Sequence, residues 1–382
     1  MKKVILSILP VILGTVMLVA SCAPKATPQP AATPTSPQAK ATIITSSVPA
    51  PASSAWDKIV AEAKNEGKVT MYTFALTGDI GQVIARSFEA KYGIKVEFIT
   101  GIGAQLIERI KTEQAGKRFI ADTLDTSTTL MAIAKTDGIT EPAGNLPTLL
   151  QQNVWLAHPR LDEQGHLIAF DTLYQIPYVN TTLVKPGDEP KSYLELLEPK
   201  WKGKMVTADP NTVPYLPRLY SVMVSRKILD DTFFSKIARQ EPKLAPTVRD
   251  DANTLIRGEA SLSITAGTTI LNPFISQGVP VKPVDVKEGA ILAMSPSIAL
   301  VKNAPHPNAA RLLIDWLVTA EGQITYQKAR SNISVRTDVQ DFTPAGGRFK
   351  PGKIVASTIA DEMEAARIQR ERVVTKLMGL MQ

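Results

Sequence analysis

The stretch SLSITAGTTILNPF, residues 261–274, runs an alternating apolar segment into a glycine and two adjacent hydroxyls, Thr268 and Thr269. Hydroxyls at a turn from strand into helix can cap the helix by accepting from its free amides, or offer donors to a bound anion. Three more loops have this composition at the same kind of turn. They are Thr73 to Asp79, with Thr73 and Thr77; Asp125 to Thr129, with Ser127 and Thr128; and Pro210 to Tyr215, with Asn211, Thr212 and Tyr215. Tyr178 and Phe274 are candidate apolar walls, and Arg218 and Arg257 candidate counter-charges, although the pattern around both arginines suits solvated surface better. Trp155 and Tyr220 read as core residues.

The chemistry that is missing narrows the function. With His158, His166 and His306 as the only histidines and Cys22 as the only cysteine, there is no HExxH pair and no cysteine-histidine metal cluster. No GxxxxGK[ST] loop and no GxSxG elbow occurs, and the TGIGAQ turn lacks the third glycine of a dinucleotide fingerprint. The balance therefore moves from catalysis to binding, with no cofactor or metal ligand set expected.

Elements must bring those loops together. Lys2 and Lys3 precede an apolar run that ends at Val19-Ala20-Ser21-Cys22, which resembles a bacterial lipobox. Residues 1–21 then form a signal peptide, and the Cys22 thiol carries lipid, each buried methylene adding roughly 0.8 kcal/mol of membrane affinity. Residues 22–53 are rich in Ala, Pro, Thr and Ser and form an extended tether. The 43 basic and 36 acidic residues give a net charge of +7, with no long basic run, which argues against nucleic-acid binding. RIQRER reads as the solvated face of a terminal helix.

From Ser54 onward, helical spacing alternates with strand-like runs. The segments VTMYTFA, IKVEFIT and FIADTL read as strands, separated by helices in GDIGQVIARSFEAKYG and LIERIKTEQAG and followed by one in TTLMAIAKTDG. The alternation restarts with KMVTADP, PYLPRLYSVMVSRKIL, SLSIT and TTILNPFISQG. HLIAFDTLYQIPYVNT is long enough to cross between two α/β lobes, and IALVK is the candidate return. The block from His306 to Ala329 and the one from Lys353 to Met378 read as helical. The expected division is 54–168 with 296–382 as lobe 1 and 169–295 as lobe 2.

YVNTTLVKPGDEPKSYLELLEPKWKGKMVTADP and SIALVKNAPHPNAARLLIDWLVTAEGQ resemble the solute-binding proteins of ABC importers, in the ferric-iron-type branch. FEAKYGIKVEF, the IERIKTEQAGKRFIADTLDTSTTLMAIAKTDGI segment and GEASLSI extend the likeness from about residue 65 to 335. The resemblance implies a two-lobed type II periplasmic-binding-protein fold: α/β lobes with mostly parallel sheets, joined by crossover strands and closing on a solute. It also implies no enzymatic step, an ABC permease as partner and an extracytoplasmic monomer, which the lipobox-like Cys22 would anchor through its lipid. Ferric-binding relatives hold the metal with adjacent tyrosines, a glutamate and often a histidine. Carried onto this chain, the tyrosine pair falls at Thr268 and Thr269, the glutamate near Ser127, and the histidine in ALTGD, where there is none. A small anionic solute, such as a carboxylate or phosphonate, is therefore the first expectation, and ferric or chelated iron the alternative. A receptor partner or an extracellular enzyme represents the other classes.

Overall fold

The computed structural model describes residues 53–344 and 350–380. The signal segment, Cys22 and the tether lie outside the described residues. The strands are β1 (Lys68–Thr73), β2 (Lys95–Thr100), β3 (Thr123–Thr126), β4 (Thr140–Glu141), β5 (Ile168–Ala169), β6 (Thr172–Gln175) and β7 (Tyr178–Asn180). They continue as β8 (Met205–Ala208), β9 (Lys243–Ala245), β10 (Leu262–Ser263), β11 (Val281–Pro283), β12 (Ala290–Met294), β13 (Ser297–Val301) and β14 (Ile354–Ala356). The helices are α1 (Ser53–Glu66), α2 (Gly78–Tyr92), α3 (Gly103–Ala115), α4 (Thr128–Thr136), α5 (Tyr215–Leu219) and α6 (Thr232–Ala238). The remainder are α7 (Val248–Ile256), α8 (Thr268–Ile275), α9 (Pro307–Val318), α10 (Ala320–Arg330), α11 (Ile359–Arg370) and α12 (Val373–Leu377).

Two sheets carry the two lobes. The first runs β2-β1-β3-β13-β4 with β5 also on β13, and the second runs β11-β7-β10-β8-β9. The pairs β1–β2 and β1–β3 are parallel, as are β8–β9 and β8–β10. Each reflects a strand-helix-strand connection, which returns the chain in the same direction. Strands β13 and β7 enter their sheets antiparallel because they arrive by crossing from the other lobe. The sheets are thus mixed, and their parallel part is confined to the βα repeats.

The expected crossing segment divides into three strands. β5 joins the first sheet, β6 joins β12 and β14 in a small third sheet, and β7 joins the second. The return begins earlier than IALVK, in β12, and runs directly into β13. Two long hinge segments, each paired with the other, are what the chain places between its lobes.

Local chemistry explains the helices of the first core. Phe88 of α2 and Trp316 of α9 are fully buried and meet edge-on at 5.5 Å, each side chain contributing roughly 1.5–3 kcal/mol by leaving water. The left-handed Gly93, with φ 71°, ends α2. Helix α9 is apolar nearly all round and buried accordingly. Its first turn is closed by the Glu66 carboxylate, which accepts from the Ala309 amide at 2.7 Å and from Asn308 Nδ2 at 2.8 Å.

Three segments depart from the sequence reading. FIADTL turns before it pairs: β3 begins only at Thr123, because Asp122 accepts from the Thr70 and His306 amides, both at 2.7 Å. Phe119 and Ile120 are left exposed. KIVAS is strand β14, and helix begins at Ile359 after a capping box formed by Thr358 and Asp361. The C-terminal helices also leave the first lobe: Ile368, Val374 and Met378 are buried in the core of the second, with Leu219, Phe234 and Ile237. Ile368 therefore anchors RIQRER, while Arg367 stays exposed and pairs with Glu364 and Glu371.

Candidate functional site

The turns at the carboxyl ends of β1 and β3 lie side by side, with Thr73 opposite Asp125. Thr73 is fully buried and its hydroxyl accepts from the Leu76 amide at 2.8 Å, so it serves the turn. Asp125 Oδ1 accepts from the Ala75 amide at 2.9 Å and the Phe74 amide at 3.3 Å, while its other oxygen has no hydrogen-bond partner. Burial pushes the Asp125 carboxyl up to about 7, against the pull of Thr73, those amides and the Arg330 charge. Thr77 precedes α2, is exposed, and makes no side-chain cap. Ser127 caps α4 by accepting from the Leu130 amide at 3.4 Å. Thr128 is buried and donates to the Met294 carbonyl at 2.6 Å, tying the start of α4 to the return strand.

Asp125 carries a pH prediction. A raised folded pKa means that the folded state holds more protons than the unfolded state between about pH 4 and 7, so this group's contribution to stability falls as pH rises through that window. Asp125→Asn should remove one proton's share of the slope, at most about 1.4 kcal/mol per pH unit. Urea melts of both proteins at pH 4.5 to 7.5 read the difference. The buried Asp251 carboxyl, also raised to about 7 by burial, remains and should leave a residual slope.

On the second lobe, β10 delivers the start of α8. Gly267 is its extended N-cap and bridges to Gln175 of the hinge. A side chain here would place Cβ 2.9 Å from the Tyr215 hydroxyl, so glycine is what allows the phenol to reach the helix start. Thr268 is buried and accepts from the Tyr174 amide at 3.1 Å. Thr269 is half-buried, and its hydroxyl has no partner among the described residues. The structure thus separates the pair: Thr268 holds the hinge, and Thr269 is open.

Other expected residues are engaged elsewhere. Asn211 is exposed and accepts from Thr375 of α12 at 2.8 Å, and Thr212 donates to the Pro246 carbonyl at 2.8 Å. Tyr178 is fully buried in β7, a core position more than a wall, with its phenol raised well above the ordinary value by burial. Tyr215 is likewise raised by burial, although the Arg218 and Arg330 charges oppose the shift. Arg257 is exposed beside Glu259. Trp155 and Tyr220 are half-buried against the first and second cores respectively.

Arg218 is not solvated surface. It is 3% exposed and doubly bonded to the buried Glu362, so its charge is compensated within the protein. Arg330, at the end of α10, is only partly engaged. Its Nε donates to Asp171 Oδ2 at 3.0 Å, while its terminal nitrogens make no hydrogen bond among the described residues. Asp171 is fully buried in the hinge and also accepts from Tyr326 Oη at 2.9 Å and from Gln327 and Asn332 at 3.1 Å. Arg330 acts electrostatically on both Asp125 and Tyr215, one from each lobe. In the sequence it is only a basic residue in the last turn of a helix, and nothing local signals that it points to the hinge.

A cavity of about 660 Å³ is bounded by Leu156, Tyr174, Ile333, Arg336, Asp341 and Ile354, and its Tyr174 wall meets the start of α8 through the bond to Thr268. Among the described residues no group of three or more His, Cys, Asp or Glu is placed to hold a metal ion, and no helix is long and apolar enough to cross a membrane.

Comparisons with known proteins agree with this architecture. Iron uptake protein A1 of Synechocystis sp. is 29% identical over 256 residues, covering 62% of this chain and 67% of the relative. A Trichodesmium protein solved in complex with iron and citrate ligands superposes with a TM-score of 0.66 at 22% identity, over 82% of this chain and 98% of that one. The periplasmic binding protein AfuA from Actinobacillus pleuropneumoniae, solved with fructose-6-phosphate bound, gives 0.59 at 21% identity, over 82% and 98%. These likenesses carry the two-lobed periplasmic-binding-protein fold. The profile of the family described as bacterial extracellular solute-binding protein matches residues 69–329, and this chain belongs to that family.

Proposed function

We propose that the protein captures ferric iron as a small anionic chelate, of the ferric citrate kind, between its lobes and delivers it to an ABC permease. The observation that carries this reading is the start of α8. The Thr269 hydroxyl, unpartnered among the described residues, stands there with the first amides of a helix N-terminus, on the same lobe as Tyr215, which feels the Arg330 charge. Such groups donate to carboxylate oxygens. They offer no anionic oxygen to a bare Fe(III) ion, which prefers hard, charged ligands, and burial disfavours the phenolate forms of Tyr178 and Tyr215. The residues alone favour an organic anion without metal. The likeness to the Synechocystis iron uptake protein and to the Trichodesmium protein solved with iron and citrate favours the iron alternative, and an anionic chelate accommodates both observations.

In the cell, Cys22 anchors the mature chain outside the membrane, residues 23–53 give it reach, and it acts as a monomer without a catalytic step. The lobes are 54–168 with 296 onward, and 169–295, with α11 and α12 seated on the second.

Thermal-shift measurements with ferric citrate, citrate and fructose-6-phosphate test the reading. Ferric citrate at a hundred times its Kd should stabilise the protein by about 2.7 kcal/mol, without the visible charge-transfer band of an iron phenolate. Such a band would mean direct ligation by tyrosine. A shift with the sugar phosphate and none with ferric citrate would transfer the assignment to a metal-free anion, the reading that the AfuA likeness supports.

A further inference from the structure

One buried carboxylate connects helices from both lobes. Glu362 of α11, 3% exposed, accepts from Arg218 Nε at 2.7 Å and Nη2 at 2.8 Å, from Ser357 at 2.7 Å and from Thr129 at 3.1 Å. Arg218 belongs to α5, which follows β8 of the second sheet, whereas Thr129 belongs to α4, which follows β3 of the first. Gln175 of the hinge extends the network, accepting from Arg218 Nη1 at 3.2 Å and donating to the Tyr215 carbonyl at 2.8 Å. Burial opposes ionisation of Glu362, but Arg218, Ser357 and Thr129 outweigh it and hold the carboxyl below its usual range.

The bonds to the two lobes are unequal. Toward the second lobe Glu362 has a bidentate, charge-assisted pair, the strong kind of hydrogen bond, and α11 and α12 are further fixed there by Ile368, Val374 and Met378. Toward the first lobe it has one neutral hydroxyl. Ile359, the first residue of α11, also packs against the apolar core of the first lobe beside Met131 and Leu124, so when lobes rotate apart as rigid bodies the contacts that yield are this apolar one and the bond from Thr129 to Glu362. Breaking it leaves the carboxylate still paired with Arg218, so the opened state contains no stranded charge. A buried ion pair is weak evidence for stability, and its better-attested use is to select one arrangement. Here the arrangement is the spacing of α4, which starts at Thr128, and α5, which starts at Tyr215.

We propose that Thr129 and Glu362 form a latch between the lobes, in which Glu362, held by Arg218 on the second lobe, positions the start of α4 against the start of α5 in the closed form. Its value for capture rests on the reading above that the solute lies between the lobes. The latch makes closure favourable before solute binds, so removing it lowers the fraction competent for tight binding and weakens apparent affinity by the same factor.

The test is the distance between lobes, measured by double electron–electron resonance in the full chain carrying C22S, with spin labels at Q82C on α2 and K236C on α6. Without solute, T129V should move population to longer distances than the parent, and T129S, which restores the hydroxyl, should return the parent distribution. Ferric citrate affinity should fall about fivefold in T129V, the low end of ordinary coupling between sites, and recover in T129S. A T129V distribution identical to the parent, or T129S behaving like T129V, would overturn the latch. Should the parent fail to bind ferric citrate, the solute assignment falls, and the distance distributions still decide the latch.

Discussion

Arg330→Met should lower stability by about 3 kcal/mol and weaken solute capture by roughly 10- to 100-fold. The stability figure is the low end of what breaking a buried ion pair costs, because the Arg330 side chain is 23% exposed while Asp171 is fully buried. Asp171 would keep its bonds from Tyr326, Gln327 and Asn332, which limits the damage to the uncompensated charge. The affinity figure corresponds to one hydrogen bond to a charged group, about 1.5–3 kcal/mol, lost from guanidinium nitrogens that have no partner among the described residues. Arg330→Lys separates the two effects. It preserves the charge opposite Asp171 but loses the planar fork, so stability should recover more fully than affinity. Urea melts and calorimetric titration with ferric citrate read both quantities. Equal affinity in Arg330→Met and the parent would remove this arginine from the site.

Thr268 and Thr269 should divide in the same two measurements, although they are adjacent and identical in type. Thr268→Ala strips the acceptor from the buried Tyr174 amide, an unsatisfied donor that costs about 1–3 kcal/mol. Thr269→Ala removes a hydroxyl with no partner among the described residues and should change stability by less than about 0.5 kcal/mol. Its effect should appear in affinity, about tenfold, the value of a hydrogen bond of roughly 1.4 kcal/mol to a charged acceptor. The reverse pattern, with Thr269→Ala unstable and fully competent to bind, would mean that the start of α8 is only a structural turn.

The sequence made the repeating α/β units legible because each strand is short, apolar and followed by a helix of the right period; α2, ending at Gly93, agrees with the reading to within a residue. The family likeness fixed the two-lobed plan. FIADTL misled only in its first half, because Phe119 and Ile120 sit outside the sheet while Leu124 is buried within β3: the chain bends at Asp122, and a buried carboxylate that accepts two backbone amides has no periodic signature. The same limit governs the site. Hydroxyls at strand-to-helix turns were visible, but which of them remain free depends on partners as distant as Tyr174 for Thr268 and Thr375 for Asn211. Arg218 and Arg330 exchange the roles that local context suggests, since what buries the first is Glu362, 144 residues away. What aims the second is Asp171, 159 residues away.

The most direct measurement is an anomalous difference map at the iron edge from crystals grown with ferric citrate. The account predicts one iron peak in the cleft with citrate oxygens completing its coordination, and a citrate carboxylate within hydrogen-bond distance of Thr269 and Arg330. An iron bonded directly to protein side-chain oxygens, or a chelate bound away from the start of α8, would contradict it.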